Sequence, residues 1–201
     1  MKRTLTTPIS EQEARDLHVG DVIYITGTMF TARDEAHLTM LEHGAPFPVE
    51  GLALYHCGPV AKKDGDGWRI VSAGPTTSAR MEMFEDRFLE KFLPRVIVGK
   101  GGMGEKTLAA LCKVGAVYTH YTGGAGALAA RAISDVTNVH WLSELGIPEA
   151  VWVLSVKEFG PLTVTMDSHG ESLYDTLNKA LFMLVVGLMG QQGPSAVGNQ
   201  T

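Results

Sequence analysis

Cysteine is scarce in this 201-residue chain: Cys57 and Cys112 are the only two, and their spacing forms no metal-ligand pattern. Both thiols are expected to be free, in a reducing and cytoplasmic compartment. No apolar stretch follows the charges of Lys2 and Arg3, so no secretory signal is expected. The longest apolar run, Ala180 to Met189, is about half of what a membrane span needs, which points to a soluble protein with no membrane partner. Charge is sparse and mixed, with 17 basic and 22 acidic residues and a net charge of -5. Without a block of like charge, neither nucleic acid nor an anionic membrane is the expected partner. The seven histidines are scattered without zinc spacing, and no Ser-His-Asp set or dinucleotide fingerprint occurs. Thr122 to Ala127 is glycine-rich, but its spacing fails G-x-G-x-x-G and fits tight helix–strand packing better. There is no internal repeat and no linker.

With 45% hydrophobic residues the chain can bury the core of one domain. After a polar lead-in with some extended structure, Asp21 to Gly27 reads as a strand. Thr31 is placed to cap a helix running to about Glu42, with Asp34 and Glu35 in its first turn. Gly51 to Tyr55 is a second strand, and Lys62 to Gly67 a hairpin turn leading to Trp68–Val71. Met81, Phe84, Phe88, Leu89 and Phe92 follow helical spacing, which predicts an amphipathic helix of roughly four turns from Thr77. Strands near 95–98, 116–119, 136–140 and 151–156 then alternate with helices near 105–113 and 125–133. Leu162 to Met166 is a last strand, Ser172 to Leu188 a closing helix, and the tail from Gly190 is expected to be disordered. The predicted class is α/β, with a β-rich first third followed by alternating strands and helices. One domain covers 1–189, and 190–201 is its tail.

Three polar clusters stand where a strand gives way to a helix. Gly99-Lys100-Gly101-Gly102-Met103-Gly104 follows an apolar strand and precedes a helix. Its glycines permit close approach, the helix offers N–H groups and a positive dipole end, and Lys100 adds a charge, so the loop fits a small anion. It is not a nucleotide P-loop, because Lys100 precedes the glycines. The alternative is a turn that only packs a helix onto a sheet. Arg33 lies near a helix N-terminus, where its charge opposes the dipole; the alternative is a solvated arginine paired with Asp34 or His37. In Gly74-Pro75-Thr76-Thr77-Ser78-Ala79-Arg80, Thr76 and Arg80 share a face if the helix has begun, and arginine's fork matches a carboxylate. The plain alternative there is a threonine N-cap followed by a surface arginine. Two arginines, a lysine and hydroxyls can bind a dicarboxylate. Asp167 and His169 form either an acid–base pair or the turn that closes the last strand.

In this order, Thr31-Ala32-Arg33-Asp34-Glu35-Ala36-His37, Gly74 to Met81 and Gly99 to Met103 resemble the β region of the class I, iron–sulfur fumarate hydratase and L(+)-tartrate dehydratase family. Phe159 to Leu162 and Met166 to Gly170 are also similar to it, so the likeness runs from about Leu17 to Asp175. The resemblance implies a swivelling β/β/α-type domain that acts as a β subunit. An α subunit would carry a [4Fe-4S] cluster on three cysteines, in an assembly that the family suggests is α2β2. Two cysteines cannot supply three thiolates, so the cluster is not expected on this chain. The implied roles are carboxylate binding for Arg33, Arg80 and Lys100, and catalytic proton transfer for Thr76. Threonine is a weak base and would need a relay, for instance an Asp of the α subunit. The implied reaction is reversible dehydration of a 2-hydroxy dicarboxylate, with (S)-malate to fumarate favoured over tartrate. Ser78-Ala79, where smaller Ala-Gly is expected in many relatives, would add a hydroxyl beside the site. The competing readings are a non-catalytic dicarboxylate-binding module and a self-sufficient lyase on Asp167 and His169.

Overall fold

The computed structural model describes residues 3–174. Most of the expected closing helix, the tail from Gly190 and the boundary at 189 lie outside the described residues. Two short elements occupy the polar lead-in, β1 (Arg3–Thr6) and α1 (Glu11–Arg15). A capping box starts α1: Glu13 N donates to Ser10 Oγ while Ser10 N donates to the Glu13 carboxylate. The chain continues through β2 (Val22–Thr31), α2 (Asp34–His43), β3 (Ala53–Tyr55) and the hairpin of β4 (Val60–Asp64) and β5 (Gly67–Ser72). A 3-10 turn (Ser78–Met83) and α3 (Glu85–Phe92) follow. Then come β6 (Val96–Gly99), α4 (Glu105–Val114), β7 (Val117–His120), α5 (Gly126–Ala132), β8 (Ile133–His140), α6 (Leu142–Leu145) and β9 (Val151–Met166).

The architecture is mixed α/β, and β1, β2, β3, β6 and β7 pair in parallel in that order. β9 runs antiparallel to β7 and β8 and also reaches back to β2, from Val22↔Thr163 to Phe30↔Val153. The pairings β2–β3, β3–β6, β6–β7, β7–β9 and β9–β2 therefore close a circuit. Two strands expected at 151–156 and 162–166 are one sixteen-residue strand. A strand of that length spans roughly 50 Å, enough to partner β2 and β7 at different levels. It bends where its register with β2 shifts, near Glu158 at φ 49 and opposite Gly27 at φ 110. A side chain at Gly27 would run into the Thr7 hydroxyl, which accepts from Thr28 N at 2.5 Å.

Strand residues alternate between two cores. Ile23, Ile25, Ala53, Tyr55, Val96, Val98, Val117, Phe159, Leu162 and Val164 join one cluster with Trp152. Phe30, Leu54, Ile97 and Tyr118 face a second cluster filled by Met40, Phe88, Leu89 and Leu111 from α2, α3 and α4. Burial on both faces explains why these strands read as continuous apolar runs.

Two local expectations are corrected. Thr31 does not cap a helix: it ends β2, where its buried hydroxyl accepts from Trp152 N at 3.1 Å, and the N-cap of α2 is Arg33. The four-turn helix from Thr77 is a 3-10 turn followed by α3, broken at Phe84. Donors that a helix start would leave free are used elsewhere, Thr76 N on His56 O and Ser78 N on Lys100 O.

Charge holds both ends of α4. The Glu82 carboxylate accepts from Gly104 N at 2.7 Å, Lys106 N at 3.1 Å, Thr107 N at 3.3 Å and the Thr107 hydroxyl at 2.6 Å. At the other end the buried Arg95 guanidinium donates to Val114 O and Gly115 O. Both charges oppose the local end of the helix dipole. Replacing Glu82 with Ala is expected to cost about 1–2 kcal/mol, the usual price of losing an N-cap acceptor. A fall in the urea midpoint with an unchanged slope would report it, and an unchanged midpoint would refute the capping role.

Candidate active site

Four parallel strands end at one edge of the domain. β2 runs out into Arg33, β3 into His56-Cys57-Gly58, β6 into Lys100 and β7 at His120. Ligands of parallel sheets bind outside the carboxyl ends of their strands. The segment from Pro75 to Ser78 threads between two of these exits. Cys57 bridges Pro75 and Thr77 bridges Lys100, while Thr76 N donates to His56 O at 2.7 Å and Ser78 N to Lys100 O at 3.0 Å. Arg80 Nη2 then donates to Asp34 Oδ2 at 2.8 Å, which ties the 3-10 turn to the start of α2 beside Arg33. The fold thus brings Arg33, Thr76, Arg80 and Lys100 to neighbouring segments of one edge.

Their pairings differ. Arg33 Nε lies 3.2 Å from Glu149 Oε1, and a Cβ on Gly58 would come within 2.7 Å of the Arg33 guanidinium. The alternative reading paired Arg33 with Asp34 or His37; the structure pairs it with Glu149. Burial raises the Glu149 carboxyl and Arg33 pulls it back, the net direction being upward. The Arg80–Asp34 pair is more open, with side-chain exposures of 49% and 31% against 22% and 18% for Arg33–Glu149. Among the described residues Lys100 joins no ion pair, and its stem passes 3.2 Å from the position of a Cβ on Gly123. Thr76 is half-buried, and among the described residues its hydroxyl makes no hydrogen bond. It precedes the 3-10 turn, so helical spacing does not relate it to Arg80. Thr77 stands at the N-cap of that turn but its side chain caps nothing.

A buried polar layer underlies this edge. Glu85 Oε2 lies 3.2 Å from His37 Nε2 and 3.4 Å from His56 Nε2, all three side chains being fully buried. Burial pushes the Glu85 carboxyl up, and protonated imidazoles beside it would pull it well below the usual carboxylate range. Burial pushes His56 down, with Glu85 opposing. His56 Nδ1 contacts Ser78 Oγ at 2.9 Å, and the Tyr118 hydroxyl meets that same oxygen at 2.9 Å. The Ser78 hydroxyl therefore points inward, not toward a substrate as its position beside the glycine-rich edge implied. Burial raises the Tyr118 hydroxyl, Ser78 opposing it.

Other expected features fall elsewhere. Three N–H groups at the start of α4 are already taken by Glu82, so an anion at the Gly99–Gly104 loop meets Lys100 rather than a free helix end. Gly126 packs its Cα against Gly74 and the Ser72 hydroxyl, as a packing role for the Thr122–Ala127 run requires. Asp167 accepts from Val19 N at 3.0 Å, His169 N at 2.9 Å and Glu171 N at 3.0 Å, which builds a turn. His169 Nε2 contacts Arg15 O at 2.7 Å, and its ring stacks on His18. These partners precede β2, whereas Arg33 follows it, so the pair lies at the opposite end of the strand from the cations.

The cysteines do not fit an iron–sulfur cluster. They are two, Cys57 on the β3 exit and Cys112 within α4. A ligand must be a thiolate, yet burial pushes the Cys57 thiol up to about 12 against the pull of Arg33. Sequence reasoning missed Glu85, His56 and Glu149. Glu85 was legible as a lone carboxylate within the stripe of Met81, Phe88 and Leu89, whereas Glu149 reaches Arg33 only through the β2–β9 pairing.

Residues 1–177 match the family model described as the fumarase C-terminus. The chain is 47% identical over 184 residues to the L(+)-tartrate dehydratase subunit beta of Escherichia coli (strain K12), covering 90% of each chain. It is 44% identical over 187 residues to the putative L(+)-tartrate dehydratase subunit beta of Methanocaldococcus jannaschii, covering 90% of this chain and 96% of that one. A putative fumarate hydratase class I of Geobacillus stearothermophilus is 48% identical over 178 residues, 88% of this chain but 34% of the longer protein. Shared over nearly its whole described length, these likenesses show that the chain belongs to the fumarase C-terminus family, the β-subunit region of the class I fumarate hydratases and tartrate dehydratases.

Proposed function

We propose that the chain is the β subunit of a hydro-lyase that reversibly dehydrates a 2-hydroxy dicarboxylate, in a site completed by an α subunit. The observation that carries this reading is the meeting of Arg33, Arg80, Lys100 and Thr76 at the carboxyl ends of β2, β3 and β6. The closed strand circuit with helices packed outside supports reading the domain as the swivelling β/β/α type. Cytoplasmic location and an α2β2 assembly belong to the same reading. The [4Fe-4S] cluster has no seat on this chain's two cysteines and is assigned to the α subunit.

This chain's part in the reaction is cationic. Lys100 and Arg80 take the substrate carboxylates, Arg80 by exchanging Asp34 for a substrate oxygen. Arg33, fixed by Glu149, adds positive potential where negative charge develops as the proton leaves. The proton on the carbon beside the far carboxylate passes to Thr76 Oγ1, and the threonine's own proton passes on to a base of the α subunit. The electron pair of that C–H bond forms the carbon–carbon double bond as hydroxide leaves the neighbouring carbon, and the hydroxide with the proton held by that base makes up the water.

The sequence favoured malate, whereas the relatives of matching length carry tartrate in their names. The experiment therefore offers both acids, anaerobically, to this chain co-expressed with its candidate α subunit. Turnover is expected in the mixture and in neither part, and the preferred acid identifies the substrate. A loaded complex inert toward both acids would overturn the assignment. Tight dicarboxylate binding by the lone chain in calorimetry would instead favour the binding-module reading. In the active complex, Lys100→Ala and Arg80→Ala are each expected to lower kcat/KM at least ~100-fold, the scale for losing one charge-stabilising donor. Far-UV circular dichroism should stay unchanged, and wild-type-like turnover would remove that residue from the site.

A further inference from the structure

We propose that His37, His56 and Glu85 form a buried binding site for one divalent transition-metal ion, of which zinc is the best chemical match. Their ligand atoms lie within 4.8 Å of one another, and all three residues are buried. Glu85 Oε2 is 3.2 Å from His37 Nε2 and 3.4 Å from His56 Nε2. Neither ring Nε2 nor either Glu85 oxygen makes a hydrogen bond. Charge-assisted N–H···O bonds measure about 2.7–2.9 Å, so these contacts are too long for an imidazolium gripping a carboxylate. Metal–nitrogen and metal–oxygen bonds of about 2.0–2.1 Å at tetrahedral angles instead space neighbouring ligand atoms by about 3.3 Å.

The hydrogen bonds behind the rings have the arrangement that metal ligands require. His37 Nδ1 lies 2.8 Å from Arg33 O. A carbonyl only accepts, so Nδ1 carries the hydrogen, and in the neutral ring Nε2 presents a lone pair toward Glu85. His56 Nδ1 is 2.9 Å from the Ser78 hydroxyl, which is paired with the Tyr118 hydroxyl, and that one reaches Gly101 O at 3.0 Å. Hydroxyls can donate either way, and a relay from the His56 ring to the Gly101 carbonyl leaves the second Nε2 as a lone pair too. Two lone pairs and a carboxylate facing one another repel unless a cation lies between them. Two imidazoles and one carboxylate are a nitrogen–oxygen set that zinc takes readily, with outer hydrogen bonds orienting each ring.

The ligands come from α2, the β3 exit and α3, the same elements that carry or adjoin Arg33, Thr76 and Arg80. An ion there clamps the cation-bearing segments from beneath. This inference does not depend on the substrate assignment.

The test uses the full chain, purified without a tag or chelator from zinc-supplemented medium. Elemental analysis is expected to find one zinc per chain. After chelation, cobalt(II) should give the visible absorption of a tetrahedral nitrogen–oxygen site, and added zinc should raise Tm. Glu85→Gln and His37→Gln should lose the bound metal and the cobalt signal. If either variant fails to fold, metal content and the cobalt spectrum of the wild-type chain decide alone. A folded wild-type chain with only trace metal, no cobalt band and no zinc-dependent shift in Tm would overturn the proposal and leave the cluster held by a proton.

Discussion

The pairing of β9 with both β2 and β7 is the constraint on which the rest of the domain depends. An open sheet ending at β2 and β7 would leave unpaired edges on two strands whose faces are already buried. One long strand serves both edges because its bulge region lets it bend between them. Antiparallel pairing also places the start of β9 beside the end of β2. Glu149 and Ala150, which lead into β9, therefore meet Arg33 and Thr31, which close β2. A contact across more than a hundred residues thus fixes the Arg33 side chain at the strand exit.

The three cations at this edge are held with different firmness, and that orders what they can do. An exposed ion pair contributes about 0–1 kcal/mol, so Arg80 can leave Asp34 for a substrate carboxylate at little cost. Arg33 and Glu149 are more enclosed, and separating them would strand a partly desolvated charge. Lys100 needs no exchange among the described residues. Arg80 and Lys100 are thus suited to direct grip, and Arg33 to holding a fixed positive potential.

Most of the strand positions along the chain were legible because strands buried on both faces appear as short apolar runs, as at Val96–Gly99 and Val117–His120. The positions of Arg33 and Lys100 at strand exits were legible for the same reason. What escaped were arrangements set by distant segments. The course of Thr76–Ser78 depends on donors spent on His56 O and Lys100 O, neither of which is a neighbour in sequence. The filling of the α4 N-terminus by Glu82 looks, in sequence, like a free anion site after a glycine loop. Ser78 illustrates the limit well: the sequence placed an added hydroxyl beside the site, yet only the fold shows it turned toward His56 and Tyr118.

Cation supply and proton acceptance make opposite demands on one edge. A carboxylate free to act as base would pair with Arg33, Arg80 or Lys100 and cancel the potential that the proposed dianionic substrate would need. Three carboxylates of this edge are engaged: Glu149 with Arg33, Asp34 with Arg80, and Glu85 beneath, against two imidazoles. Thr76 offers a neutral oxygen that does not discharge its neighbours, at the cost of needing help to accept a proton. The proposed division of the site between two subunits would resolve the conflict, since a second surface would bring the base only when the substrate's own charges already occupy the cations. On the proposed assignment the separation of roles follows from electrostatics at the strand ends, and the neutral threonine would be the residue through which the two surfaces connect.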